Sequence, residues 1–333
     1  MIINNLILKG FKSFKDKEIK LGSLTLLTGI NSSGKSSIVQ GIRMLNRAKS
    51  NQSPLIPGYG DCEELKNQNS QWPMRIAGTT TEGKKVEITF ESPSSKAIIK
   101  SDIAEDGFEL TYISASRFGP QNTLPIDTTD LIGELGENIL KSIEIHQDDI
   151  IPEIMRHPDS EGDTLYFNLR GWLNAIAPGT KFTHEIVKVA DTSYMKFNNF
   201  RAANVGFGLS YALPVIASLL VGSLKKSQIV IIENPEAHLH PKGQTEIASL
   251  ICRAVQAGVQ VIIETHSDHL FDGVRLYAKK HPEFASMVTI HWCELDSNSN
   301  TKIESPELKG NGKLSFWPKG LFDQFEINAD ALI

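Results

Sequence analysis

At 333 residues, 40% hydrophobic and 22% charged, the chain is long enough for one large α/β domain or two smaller ones, with an ordinary globular composition. A formal net charge of -5 excludes a dominant basic surface and leaves only local patches for nucleic acid. Cys62, Cys252 and Cys293 lack disulfide or metal-type spacing, and no apolar run is long enough to cross a bilayer. Reduced thiols and a soluble, cytoplasmic protein are therefore expected, with no membrane contact.

In chain order, Ile2 to Phe11 reads as a strand, and Phe14 to Leu21 alternates as its antiparallel partner. The apolar run Leu24 to Thr28 feeds Gly29 to Ser37, GINSSGKSS, which matches G-x-x-x-x-G-K-[ST] in full. Ile38, Val39, Ile42, Met44 and Leu45 continue at helical spacing to about Lys49. Asn51 to Gln71, with two prolines and two glycines, reads as an irregular excursion. Met74–Gly78, Lys85–Phe90, Ala97–Ser101 and Phe108–Ile113 predict an antiparallel meander, a β-rich lobe over about 51–130. A mainly helical stretch follows from about Gly133 to Ala177, with Trp172, Leu173 and Ile176 on a buried face. Phe182–Val189 and Ser193–Phe197 read as a hairpin, and Ser210–Leu220 as an apolar helix with Pro214 in its first turn.

The second half returns to α/β order. Gln228 to Ile232 is a buried-strand pattern ending in Glu233, followed by a helix from about Lys242 to Ala257. Val259 to Ile263 is a second such strand, ending in Glu264-Thr265-His266-Ser267. A helix over Asp268–Lys280 and strands over Met287–Leu295 and Lys302–Glu304 complete the reading, without internal repeats or an inserted coiled coil.

The chemistry gathers in the glycine loop and at strand ends. A strand–loop–helix carrying Asn31, Ser32, Ser33, Gly34, Lys35, Ser36 and Ser37 offers backbone N–H groups to phosphate oxygens. Lys35 brings a positive charge to the β- and γ-phosphates, and Ser36 a hydroxyl to Mg²⁺. The expected ligands are therefore a nucleoside triphosphate and magnesium. Glu233, at a strand tip, is the second candidate for the metal. His238 and His240 in NPEAHLHP lack the spacing of a zinc motif, and no cysteine is near. His266 is placed at a strand end to sense a γ-phosphate.

Five segments together, GINSSGKSS, YISASRFGP (112–120), NVGFGLSYALPVI (204–216), IIENPEAHLHPKGQ (231–244) and VIIETHSDHL (261–270), carry a family resemblance. The chain resembles the ABC-class ATPases of the overcoming-lysogenisation-defect (OLD) type, relatives of SMC and RecF heads. The segment 314–325 is similar to the tail of a subgroup of small ATPases of poorly defined role. The resemblance implies one ABC-type P-loop head over 1–333. Its mixed or parallel core sheet, flanked by helices, comes from 1–50 and 200–333, with the antiparallel lobe and a helical and hairpin insertion over about 131–200. It also implies a homodimer sandwiching two ATP molecules. In that dimer Gly206, Gly208 and Ser210 form the signature acting on the other copy's nucleotide, 235–240 crosses the interface, and His266 is the switch. Arg117 then either contacts or relays the nucleotide state, or is an ordinary structural arginine.

Two departures from that pattern bear on catalysis. Glu233-Asn234 stands where such sites place a metal-binding acid and then a water-activating glutamate. An asparagine orients water but takes no proton from it, which leaves Glu236 as the nearest alternative base. Phe207 stands where related heads carry a small polar residue. A slow ATPase, or a long-lived ATP-bound dimer, is the expectation. With no room for a further nuclease domain, the resemblance implies a separately encoded effector, a nuclease or toxin, in defence against phage. The alternative is a DNA-clamping ATPase of repair or chromosome maintenance, with Lys12, Lys15, Lys84, Lys85, Lys225 and Lys226 as candidate phosphate contacts. An ATPase half of a membrane transporter fits least.

Overall fold

The computed structural model describes residues 2–50 and 52–332 and divides into two units, 1–110 with 288–308 and 314–333, and 111–287 with 309–313. The first unit opens with β1 (Ile3–Phe11) and β2 (Phe14–Lys20), an antiparallel pair as their alternation predicts. β3 (Leu24–Gly29) is buried at every residue and runs into α1 (Lys35–Lys49). The helix buries Ile38, Val39, Ile42, Met44 and Leu45, the residues whose spacing announced it. An irregular segment follows as expected, although Asn51 itself lies outside the described residues.

β4 (Met74–Thr80), β5 (Lys85–Phe90) and β6 (Ile98–Ser101) do not stand apart as a lobe. They extend the first hairpin into one antiparallel sheet of order β2-β1-β4-β5-β6. In β5 the alternating Val86, Ile88 and Phe90 are buried, and each such side chain contributes about 1.5–3 kcal/mol. The expected fourth strand of the meander departs from it. β7 (Glu109–Ile113) has two consecutive buried residues, Tyr112 and Ile113, so it suits a sheet covered on both faces rather than an alternating one.

The second unit continues with β8 (Leu124–Pro125), α2 (Ile139–His146) and α3 (Leu165–Ile176). The helical stretch is thus two helices with a long irregular link, which a hydrogen bond from Trp172 Nε1 to Met155 O (3.0 Å) holds against α3. Trp172 and Leu173 are buried, while Ile176 is only half-buried. β9 (Phe182–Val187) and β10 (Thr192–Phe197) form the expected hairpin, and Asn198 and Asn199 turn the chain at positive φ (52° and 67°) into β11 (Phe200–Arg201).

α4 (Phe207–Ser223) begins earlier than its apolar run suggests, so Pro214 lies in the helix interior and not in the first turn. Nearly every residue from Ala212 to Ser223 is buried, and packing on all sides holds a helix that lacks the proline's backbone bond. β12 (Gln228–Glu233), α5 (Pro241–Gln256), β13 (Gln260–Glu264) and α6 (Asp268–Lys280) follow the predicted βαβα order. β12 and β13 are parallel and pair Glu233 with Glu264, and β7 lies on the other side of β12. Gln228 Nε2 donates to Thr111 Oγ1 at 3.0 Å along that edge.

The chain then returns to the first unit. β14 (Val288–Leu295) pairs parallel with β3 and antiparallel with β15 (Thr301–Glu304). α7 (Gln324–Leu332), which the sequence did not announce, buries none of its residues. Cys62, Cys252 and Cys293 are free thiols, all buried. Among the described residues, no helix is long and apolar enough to cross a membrane.

Candidate functional site

The glycine loop is set by the strands beneath it. At Gly29 (φ 139°), opposite Cys293 in the β3–β14 ladder, a Cβ would sit 2.1 Å from the Cys293 carbonyl oxygen. Gly34 (φ 103°) immediately precedes α1, and a Cβ there would lie 2.3 Å from Thr301 Oγ1. Only glycine fits at either end of the loop. Thr301 Oγ1 bonds Ser13 Oγ (2.7 Å) and the Ser33 carbonyl (2.8 Å), so the loop rests on β15 and the β1–β2 turn.

Lys35 is 3% exposed, and its ammonium donates to the carbonyls of Gly29 (3.1 Å) and Ile30 (2.8 Å). The cation is thereby folded across the loop it serves. Asn31, Ser32 and Ser36 are exposed; Ser33 and Ser37 are buried, and Ser33 Oγ has no partner. The first turn of α1 contains no acid, and no side chain caps it. The positive end of a helix dipole without an acid in its first turn, together with a buried lysine, fits a polyphosphate.

In the second unit the predicted strand-end residues cluster. Glu233 is half-buried, and its Oε2 accepts the Ala115 N–H at 3.2 Å. Asn234 takes a left-handed conformation (φ 44°), donates its N–H to Glu264 O (2.8 Å), and leaves its buried Oδ1 without a partner. Glu236 accepts the His266 N–H on Oε1 at 3.0 Å, while its Oε2 is buried without a partner. Burial raises the Glu236 carboxyl above the usual range, partly offset by the bond from His266. The His266 side chain is exposed.

Arg117 is 1% exposed, with the Tyr211 ring against it, and hydrogen-bonds backbone carbonyls. Its guanidinium donates to the carbonyls of Tyr211 (2.9 Å), Ser114 (3.1 Å), Glu233 (2.8 Å) and Asn234 (2.8 Å). Desolvation lowers its pKa to about 10, which leaves it charged at neutral pH.

The signature segment is placed less uniformly. Gly206 precedes α4 and is exposed, as is Phe207, and Gly208 packs so closely that a Cβ would lie 2.9 Å from the His238 carbonyl oxygen. Ser210 does not share that exposure: it is 2% exposed with its hydroxyl unpartnered, because the early helix start turns it toward the core. The exposed face carries an aromatic group that was not anticipated, with the His238 ring 5.2 Å from Phe207 and 4.6 Å from Tyr211. His240 accepts the Lys242 N–H on Nδ1 (3.3 Å) and caps α5. Among the described residues, no three metal-type side chains converge.

The supports of this site had no motif. Ala115 acts through its N–H, Arg117 through carbonyls, and Thr301 stands far along the chain from the loop it holds. The strongest available signal for Arg117 was its place in YISASRFGP, which marks the segment but not the partners.

Comparison with known proteins fits this geometry. The family model described as "AAA domain, putative AbiEii toxin, Type IV TA system" matches residues 24–272, and a model of a protein family of unknown function (DUF3696) matches 285–332. No curated protein matches the chain. Among solved structures, the Smc head domain with a coiled coil and joint from Pyrococcus yayanosii is similar at TM-score 0.58 and 12% identity, covering 100% of both chains. An Smc head bound to the C-winged helix domain of ScpA gives 0.57 and 15%, covering 92% of this chain and 98% of that one. The recombination mediator RecF gives 0.50 and 10%, covering 90% and 97%. The fold is that of the SMC head and RecF structures. By its match over 24–272, the chain belongs to the AAA-domain family described as putative AbiEii toxin of type IV toxin–antitoxin systems.

Proposed function

We propose that this protein is an ATP-binding regulatory ATPase of the OLD type that dimerises on ATP and controls a separately encoded effector, a nuclease or toxin, in anti-phage defence. The observation that carries the nucleotide reading is the loop itself: two glycines where a side chain would clash, with the Cys293 backbone at Gly29 and with Thr301 and Ser13 side chains at Gly34, a helix start without a side-chain cap, and a buried lysine folded over the loop. The family description, which names a toxin of a toxin–antitoxin system, supports a role in a multi-component module.

In this reading the loop amides and Lys35 bind and orient the triphosphate; Ser36 in the first unit and Glu233 in the second are each the residue of their unit that would ligate a metal. A magnesium ion, when bound, supplies charge neutralisation at the β- and γ-phosphates. Asn234 orients water through its unpartnered Oδ1, but its amide takes no proton. Glu236, with one free carboxylate oxygen and a raised pKa, is the nearest group able to do so. His266 reports the γ-phosphate, and Gly206 and Gly208 present the start of α4 to the other copy. Turnover is slow because the residue after the metal ligand is not an acid.

The test is equilibrium binding of a fluorescent ATP analogue, with light scattering of the protein with and without ATP and Mg²⁺. Micromolar binding that requires Lys35, and a doubling of mass on ATP, are expected; absence of binding refutes the reading. Hydrolysis stimulated by duplex DNA with a steep loss on added salt would instead establish the DNA-clamping alternative.

A further inference from the structure

The geometry points to Arg117 as a positioning residue that ties the start of α4 to the backbone of Glu233 and Asn234, so that these segments shift as one piece. The inference deepens the function proposed above and rests on its assignment of Glu233 to the metal.

Four observations within the second unit carry it. The turn that presents Arg117 is closed on itself by Arg117 N–H to Ser114 O (3.2 Å) and Ser116 N–H to Ser114 Oγ (3.1 Å). From that turn the Ala115 N–H reaches the Glu233 carboxylate at 3.2 Å, so one short segment holds both the side chain and, through Arg117, the backbone of the same residue. The guanidinium uses one edge for the carbonyls of Glu233 and Asn234 and its Nε for the Tyr211 carbonyl in the second turn of α4. The Tyr211 ring lies against it, with its centroid 5.1 Å from the guanidinium carbon.

Buried cations ordinarily meet a carboxylate, because desolvating an unpaired charge is expensive. Here carbonyl dipoles from three separate segments take that place, which makes the arrangement a joint between backbones and not an ion pair. A planar fork of fixed donors suits it, whereas a lysine ammonium offers three donors from a single point. The same joint holds Asn234 in its left-handed conformation, since the Asn234 carbonyl is fixed by Arg117 and its N–H by Glu264. A partner that moves the exposed start of α4 therefore moves the carbonyls of Glu233 and Asn234.

Arg117→Lys and Arg117→Ala test this in two ways. In ligand-free protein, hydrogen–deuterium exchange is expected to rise at least tenfold in both 207–213 and 230–237, and to fall back in Arg117→Ala on adding millimolar methylguanidinium. ATP affinity is then measured in EDTA and in Mg²⁺. The metal-free affinity is expected to stay within about threefold of wild type, while the gain produced by Mg²⁺ falls tenfold or more and is partly rescued by methylguanidinium. If Arg117→Ala does not fold, judged by circular dichroism, Arg117→Lys carries both measurements. Exchange that rises in only one of the two segments, or a Mg²⁺ gain unchanged in the variants, overturns the inference and leaves the proposed function standing. A wild-type protein that gains nothing from Mg²⁺ overturns the metal role of Glu233 and this inference together.

Discussion

Asn234→Glu is the substitution with the most divided consequences. The backbone at Asn234 sits at φ 44°, a region that asparagine tolerates and that costs other side chains about 1–2 kcal/mol. It cannot relax, because Glu264 O holds the N–H and Arg117 holds the carbonyl, each at 2.8 Å. Asn234→Glu should therefore lower stability by about 1 kcal/mol, which at this chain length is a melting shift of roughly 1–2 °C. Against that stands the chemistry: a positioned general base contributes about 10²–10⁴-fold to rate. Single-turnover phosphate release with protein in excess should thus rise about a hundredfold or more in Asn234→Glu. Asn234→Gln has similar backbone strain and no carboxylate, so it should melt lower without turning over faster. Asn234→Asp keeps the tolerance for this conformation and tests a carboxylate one methylene shorter. An Asn234→Glu protein that binds ATP normally yet releases phosphate within threefold of wild type would refute the claim that a missing carboxylate limits turnover.

Three further outcomes are expected. Lys35→Ala removes the ammonium from the loop; at about 1.5–3 kcal/mol for each charge-assisted bond, ATP affinity measured by calorimetry should fall at least a hundredfold. Glu236→Gln retains an oxygen to accept the His266 N–H but takes no proton, so single-turnover rate should fall at least tenfold with unchanged melting if Glu236 is the base; an unchanged rate removes it from the mechanism. His291 is buried between the Lys20 carbonyl (2.7 Å from Nε2) and Ser305 Oγ (2.8 Å from Nδ1), and burial depresses its pKa. Unfolded, it takes up a proton near pH 6.5, so its contribution is full above that pH and is lost as pH falls below it; melting scans from pH 8 to 5 should flatten in His291→Gln.

The parts of the fold visible in the sequence are those with a clean period or a bounded apolar run. β1 and β2 alternate, β3, β12 and β13 are continuous apolar runs, and α5 and α6 carry one-sided stripes; all were legible within a residue or two. α4 is buried nearly all round from Ala212 onward, so periodicity says nothing about where it starts, and both Pro214 and Ser210 were misplaced by that one boundary. β7 looked like one more meander strand because short alternating runs do not say which sheet they join. The candidate site divides similarly. Gly34, Lys35 and Glu233 are readable because side-chain type and spacing encode their chemistry. Their supports are not, because Ala115 and Arg117 act on or through peptide groups that every residue possesses, and Thr301 meets the loop only through tertiary pairing.

The three native thiols have an experimental consequence. Cys252 and Cys293 are fully out of water, and Cys62 is nearly so, with its sulfur bonded to the Pro93 carbonyl at 2.8 Å. Burial also raises the Cys62 and Cys252 thiols, which keeps them in the unreactive protonated form. The unaltered chain should be nearly inert to maleimides while folded. A single cysteine introduced at Val189, 97% exposed on the hairpin, would then take a fluorophore almost alone. No native cysteine need be removed to attach such a reporter.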